Sequence, residues 1–493
     1  MAVGDGDAEL QKLASNNPAM TIPTKDDSQA EFQQLRSRLA CSDASNTTST
    51  QAPQDMVGDM AGDMRDGPLN TISSTISQPT KYDRGWRRVV RNFSPSWFSV
   101  TMGTGVVSIL LITIPFKATW LYWLSVIFFV LNTVLFSLAF LASFLRYTLY
   151  PEIWHVMIAD STNSLFLATI PMGFATLINA WIFLCCPYWG YWSVTFAWVC
   201  WMIDAIVAAA VTVSLPFLLM KQRESHDLDR ITAVQLLPIA ATIVASAVGK
   251  PDDFLTVDAW SPTHGLLGAE IALVLTHSPQ AALGTLLTSY VMWGIATPFA
   301  LTILVIYYQR LALHKLPPRE VVVSSFLPLG PLGMGGNAIM HLGKVARDLF
   351  LRVGFLHNLS MAGDIVYVMG IFVALIMWGF GLCWLVFALA TIYQTRPFPF
   401  NMGWWGFTFP LGVYAVSTIT FGVEMPSLFF RVLGTIFGVA VIMLWCVVAF
   451  GTAKGAWSGK LFYAPCLKNL KKEDQKPQNQ RRSQAEKCED SSV

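Results

Sequence analysis

The chain has 493 residues, of which 54% are hydrophobic and only 13% charged, against roughly a quarter charged in a soluble domain. Its 33 Lys and Arg nearly balance its 31 Asp and Glu, which excludes bulk charge attraction to a polyanion. Eight scattered cysteines, Cys185–Cys186 the one adjacent pair, show neither metal spacing nor the density of a disulfide framework, so the composition reads as a membrane protein without a metal or other cofactor.

Residues 1–90 read as a disordered cytosolic tail that ends in a basic juxtamembrane cluster. The tail is rich in Ser, Thr, Asp, Gln and Asn and lacks the basic start and apolar core of a signal peptide. Lys81, Arg84, Arg87, Arg88 and Arg91 follow, with Trp86 among them, as an anchor facing the cytosol.

Residues 91–457 then carry apolar stretches almost without pause, and hydropathy predicts about ten transmembrane helices. The spans are approximately Trp97–Phe116, Trp120–Leu145, Met157–Cys185, Trp189–Met220 and Ala233–Val248. Ala281–Tyr308, Val321–Leu342, Ile365–Tyr393, Gly403–Gly422 and Leu428–Phe450 follow. Residues 458–493 are a second polar tail. Lys and Arg in the short connections place both termini in the cytosol, although an expected outside loop, Leu342 to Gly363, carries Lys344, Arg347 and Arg352. The long outside loop Gly249 to Pro279 is acidic, with Asp252, Asp253, Asp258 and Glu270.

The informative pattern is which spans hold helix breakers. Pro-x-Gly recurs at Pro171, Pro328, Pro331 and Pro410; span five has Pro238, and span one has Gly103 and Gly105. Each odd span is therefore expected to be interrupted in its interior, whereas span two runs from Trp120 to Leu145 with neither Gly nor Pro. Freed backbone groups at membrane depth need protein or water around them. The alternation suggests helical hairpins in which one member faces a cavity and the other faces lipid. In span nine Pro410 is expected to break the helix near mid-membrane, with Phe407 and Phe409 as an aromatic plug beside Thr408. Hydroxyls and amides such as Thr104, Thr169, Ser324 and Ser417 are expected to line the path, which suits a small anion better than a cation.

Other singled-out residues are weighed against plainer roles. Asp204, in the middle of span four, is costly unless paired or hydrated; a structural hydrogen bond to a neighbouring helix, such as one in an oligomer interface, is preferred over a place in the transport path. Glu424 and Arg431 are candidates for a pair near the outer ends of spans nine and ten. His341 is expected to end span seven. No cluster of metal ligands or nucleophile elbow is seen, which disfavours an enzyme.

Asn92-Phe93-Ser94-Pro95-Ser96-Trp97-Phe98 with Met102-Gly103-Thr104-Gly105, and Ile170-Pro171-Met172-Gly173, resemble the first and third helices of the tellurite-resistance/dicarboxylate transporter family. His314-Lys315-Leu316-Pro317-Pro318 with Ser324-Ser325-Phe326-Leu327-Pro328-Leu329-Gly330-Pro331-Leu332-Gly333 resembles its fungal branch containing sulfite efflux pumps. Trp404-Trp405 and Phe407-Thr408-Phe409-Pro410 are similar to a helix also seen in plant slow anion channels. The resemblance implies an all-α membrane protein with ten helices in five hairpins around a central pore, an inner set of kinked odd helices, and commonly a trimer. It further implies a pore phenylalanine, which maps to Phe409, and plasma-membrane export of sulfite. The alternative within the same family is a malate/dicarboxylate permease or a gated anion channel; from another class, a receptor-like scaffold would not need five interrupted helices.

Overall fold

The computed structural model describes residues 85–221, 231–246, 279–314, 316–354, 359 and 361–462. The 1–80 tail, the acidic residues of the 249–279 loop, the residues of the second tail beyond 462, and the basic residues Lys81, Arg84, Arg223, Arg230 and Lys315 lie outside the described residues. Among the described residues every regular element is helical.

A short helix, α1 (Trp86–Arg91), precedes the first span. Eight helical segments are long and apolar enough to cross a membrane. They contain α2 (Phe98–Thr113), α3 (Thr119–Leu149), α5 (Thr169–Leu184), α6 (Tyr191–Lys221), α8 (Pro279–Leu313), α10 (Ala362–Thr395), α11 (Trp405–Glu424) and α12 (Leu428–Trp457). The other two expected spans are α7 (Leu236–Ser246), which has 11 residues and is followed by residues outside the described set, and α9 (Leu329–Val353). α9 is not among the eight: Pro331, five glycines, Asn337 and His341 lower its hydropathy, and Lys344, Arg347, Asp348 and Arg352 fall in its last turns. These basic residues were expected in a loop after Leu342; instead they extend the helix by eleven residues, to Val353. A second boundary also differs: the stretch expected to begin span three at Met157 is a separate helix, α4 (Glu152–Ala159), closed off before α5 by Asp160, which caps the backbone N–H of Thr162 and Asn163.

The prolines do not break the helices where they were expected to. Each of the five odd spans instead opens with a 3-10 turn: Pro95–Trp97, Ser164–Ala168, Ala233–Gln235, Val322–Phe326 and Met402–Trp404. Pro171, Pro238 and Pro331 are each the third residue of the α-helix that follows, and Pro328 is the residue before α9. In the first turn the missing N–H would have had no intrahelical partner anyway, so proline costs little there. Pro410 alone is deeper, and α11 continues through it from Trp405 to Glu424. Side-chain hydroxyls at these junctions cap carbonyls three residues back: Thr101 donates to Phe98 O, Thr169 to Phe166 O, Ser324 to Val321 O and Thr408 to Trp405 O.

Burial separates the helices into two kinds. The spans containing α2, α5 and α11 are 78%, 72% and 83% buried, and every residue of α7 is buried. Those of α3, α6, α8, α10 and α12 are 22% to 39% buried and expose rows of Leu, Ile, Val and Phe, the surface a lipid solvent accepts. Each exposed helix packs on the buried helix before it, and the buried helices touch in the order α2, α5, α7, α9, α11 and again α2. Glycines set those approaches: a Cβ on Gly333 of α9 would stand 2.8 Å from the Tyr414 Cα of α11, and one on Gly412 would meet Val106 of α2 at 2.7 Å.

A hydrogen bond also runs from each exposed helix to the next buried one. Asn132 of α3 donates to Thr176 of α5 at 3.4 Å, and Trp201 of α6 to Ala245 O of α7 at 2.9 Å. Trp293 of α8 donates to Gly335 O of α9 at 2.8 Å, Trp378 of α10 to Thr418 of α11 at 2.9 Å, and Trp445 of α12 to Thr104 of α2 at 3.1 Å. An indole offers a large apolar body and one donor, which suits a helix that must face lipid on one side and tie down a polar backbone on the other.

Candidate functional site

The five buried helices meet at a narrow cavity of about 10 Å³, room for a single water. Its walls are Val106 and Ile109 of α2, Ala175, Thr176 and Asn179 of α5, Val244 of α7, Met334 of α9, and Phe409, Val413 and Val416 of α11. On α2, α5 and α11 these residues recur at three- and four-residue steps, the spacing of one helix face. No wall residue carries a charge.

Of the residues singled out in the sequence, Phe409 reaches this cavity and the others do not. Phe407 is buried elsewhere, against Phe326 at 5.0 Å and Trp404 at 5.7 Å between ring centroids. Thr408 stands where Gly103 leaves space for it, on the α2–α11 contact. Thr104 donates to Val100 O and accepts from Trp445, so its hydroxyl serves a helix contact. The Pro238 carbonyl accepts from Thr212 at 2.5 Å, while Pro171 and Pro328 belong to the first turns already described. The expectation of a hydroxyl-lined path is thus corrected: most of those hydroxyls are taken by backbone carbonyls, and the wall is apolar apart from Thr176 and Asn179.

Three further expectations change. Asp204 lies on the stripe with Trp201, Ala208 and Thr212 that packs against α7, and neither carboxylate oxygen has a hydrogen-bond partner among the described residues. The expected hydrogen bond to a neighbouring helix is not found among the described residues, and the side chain is buried within the chain itself. Glu424 pairs with Lys344 at 2.9 Å and accepts from Tyr367 at 2.7 Å, tying the ends of α9, α10 and α11 together. Arg431, its expected partner, donates to Gly422 O at 2.9 Å instead. His341 is buried in the middle of α9. Among the described residues no three His, Cys, Asp or Glu side chains gather as a metal site.

The family model for voltage-dependent anion channels, SLAC1, matches residues 92–453. The chain belongs to this family. The match spans α2 through most of α12 and so includes every residue of the cavity wall. Individual relatives are similar over the same region. A sulfite efflux pump of Arthroderma otae is 46% identical over 374 residues, covering 76% of this chain and 93% of that protein. A sulfite efflux pump of Candida albicans is 27% identical over 405 residues, 76% of this chain and 78% of its own. A malic acid transport protein of Schizosaccharomyces pombe is 24% identical over 376 residues, 73% of this chain and 78% of its own.

Nothing in the amino-acid pattern marks the wall residues Val106, Ile109, Val413 and Val416. Apolar side chains on a helix buried all round look alike whether they face a cavity or a neighbour. Asn179 did carry a signal, an amide inside the otherwise apolar run Leu177-Ile178-Asn179-Ala180-Trp181-Ile182.

Proposed function

We propose that this protein is a plasma-membrane anion transporter that exports sulfite. The observation carrying this reading is the cavity, to which all five buried helices contribute and which Phe409 helps to close. Family membership and the similarity to sulfite efflux pumps support the substrate. In this reading residues 91–457 form the transport domain, ten helices pair as five hairpins around a pore, and α7 and α9 cross the membrane with the rest. Both termini are cytosolic, and three copies assemble with one path each. Phe409 is the gate: an apolar ring at the narrowest point obstructs an ion by size and by dewetting.

A dicarboxylate permease is the second reading, supported by the similarity to a malic acid transport protein. The uncharged wall weighs against it, since a dianion loses more hydration and finds no Lys or Arg there. Purified protein in liposomes, assayed in parallel with sulfite, malate, chloride and nitrate, tests both. Sulfite flux above the other three is expected; malate flux with none for sulfite would replace the first reading by the second.

A further inference from the structure

The cavity wall has two polar side chains, and only one of them is occupied. The Thr176 hydroxyl donates to Gly173 O at 2.8 Å and accepts from Asn132 at 3.4 Å. Asn179 is 1% exposed, yet its carboxamide makes no hydrogen bond among the described residues, and its Oδ1 is buried without a partner. A buried amide left unpaired is costly. The cavity is open space beside it, and a guest held there reaches the free amide.

The chemistry of that user follows from what the wall offers. The cavity supplies no compensating positive charge, and the cost of desolvating an ion rises with the square of its charge, so a single negative charge is favoured over two. The carboxamide presents a donor and an acceptor side by side. An oxyanion that carries its own proton meets both: its O⁻ accepts from Nδ2–H, and its O–H donates to Oδ1. Chloride and nitrate only accept, and would leave Oδ1 as it is now. We propose that Asn179 is the specificity-determining contact of the path and that the transported species is a singly charged, protonated oxyanion. Resting on the transport reading above, this makes hydrogensulfite the form of sulfite that crosses.

The experiment measures hydrogensulfite, nitrate, chloride and sulfate fluxes into liposomes in mildly acidic buffer, where sulfite is mostly singly protonated. Full-length wild type is compared with Asn179→Leu and Asn179→Ser, each corrected for folded protein. Removing one hydrogen-bonding group that a charged ligand uses costs about tenfold. Asn179→Leu is therefore expected to lower nitrate and chloride flux by about that factor, through loss of the Nδ2–H donor, and hydrogensulfite flux by about a further tenfold, through loss of Oδ1 as well, so that the preference collapses. Asn179→Ser, which keeps a smaller donor and acceptor, should fall between. A folded Asn179→Leu that keeps both flux and preference overturns the assignment. Wild type that moves nitrate and chloride but no hydrogensulfite would instead overturn the substrate reading. Sulfate moving as fast as hydrogensulfite through wild type would overturn the single-charge requirement.

Discussion

The buried and exposed helices are built from nearly the same amino acids and do different work with them. The exposed helices α3, α6, α8, α10 and α12 have 30 to 35 residues, more than the roughly 20 that a bilayer requires. They keep most of their apolar side chains outward and send a few polar groups inward. The buried helices are shorter or polar at one end and open with a 3-10 turn, while close-approach glycines occur on both kinds, Gly333 of α9 and Gly370 of α10 among them. Hydrophobicity therefore does not separate path from scaffold in this protein. The separation lies in where glycine, proline and small hydroxyl residues fall, because those decide which helices can surround a narrow space without lipid.

The sharpest way to break that comparison is to add the same methyl group to each kind of helix. At Gly333 of α9 the new Cβ would lie 2.8 Å from a backbone atom of α11, which cannot swing aside. Gly333→Ala is expected to cost about 1–3 kcal/mol or more, read as lost monodisperse protein and a lower melting temperature. At Gly379 of α10 a Cβ would meet nothing within 4 Å, so Gly379→Ala should be neutral or stabilise by up to about 1 kcal/mol. Equal effects at the two sites would mean that the inner contacts are looser than drawn.

Phe407 and Phe409 put the comparison inside a single helix. Phe409→Ala removes cavity wall, so higher basal anion flux with looser selectivity is expected from well-folded protein. Phe407→Ala removes packing against Phe326 and Trp404 and should cost about 3–5 kcal/mol without opening the path. Flux per folded molecule, measured for both, decides; a gain at Phe407 alone would move the gate there.

How much of this was legible in advance depends on how far apart the interacting groups are in the chain. Hydropathy located the eight helices long and apolar enough to cross a membrane, and the positions of Pro and Gly pointed to the buried ones, because both are local properties. The 3-10 openings were not legible, since Pro171 or Pro238 reads the same whether it breaks a helix or starts one. The Glu424 partner was misread because Lys344, 80 residues earlier, seemed to belong to a loop once the span was ended at Leu342. Hydroxyls such as Thr169 and Ser324 looked like pore lining, but a Thr or Ser in a tight turn can satisfy a carbonyl three residues back, and only the folded geometry shows that they do.

The pair at the ends of the buried helices gives a smaller effect. Glu424→Gln leaves Lys344 facing a neutral amide, and loss of a charged hydrogen bond costs about 1.5–3 kcal/mol. A melting temperature lowered in Glu424→Gln and restored by combining it with Lys344→Met is the expected result. Additive losses in the double variant would mean the two residues act independently.

Asp204 should give the smallest effect, and it tests whether the exposed helices stay out of the path. Its carboxylate is buried on the face of α6 that meets α7, has no partner among the described residues, and does not line the cavity. Asn has nearly the same shape and no charge, so Asp204→Asn loses no hydrogen bond and removes whatever desolvation cost the carboxylate carries. The expected outcome is a melting temperature unchanged or raised by a few degrees, for about 0–1 kcal/mol, with anion flux within about twofold of wild type. A clear fall in melting temperature would show that the carboxylate has a partner that α6 and α7 do not provide. Lost flux in stably folded Asp204→Asn would show that a residue on an exposed helix takes part in transport, and the division between path and scaffold would have to be redrawn around α6.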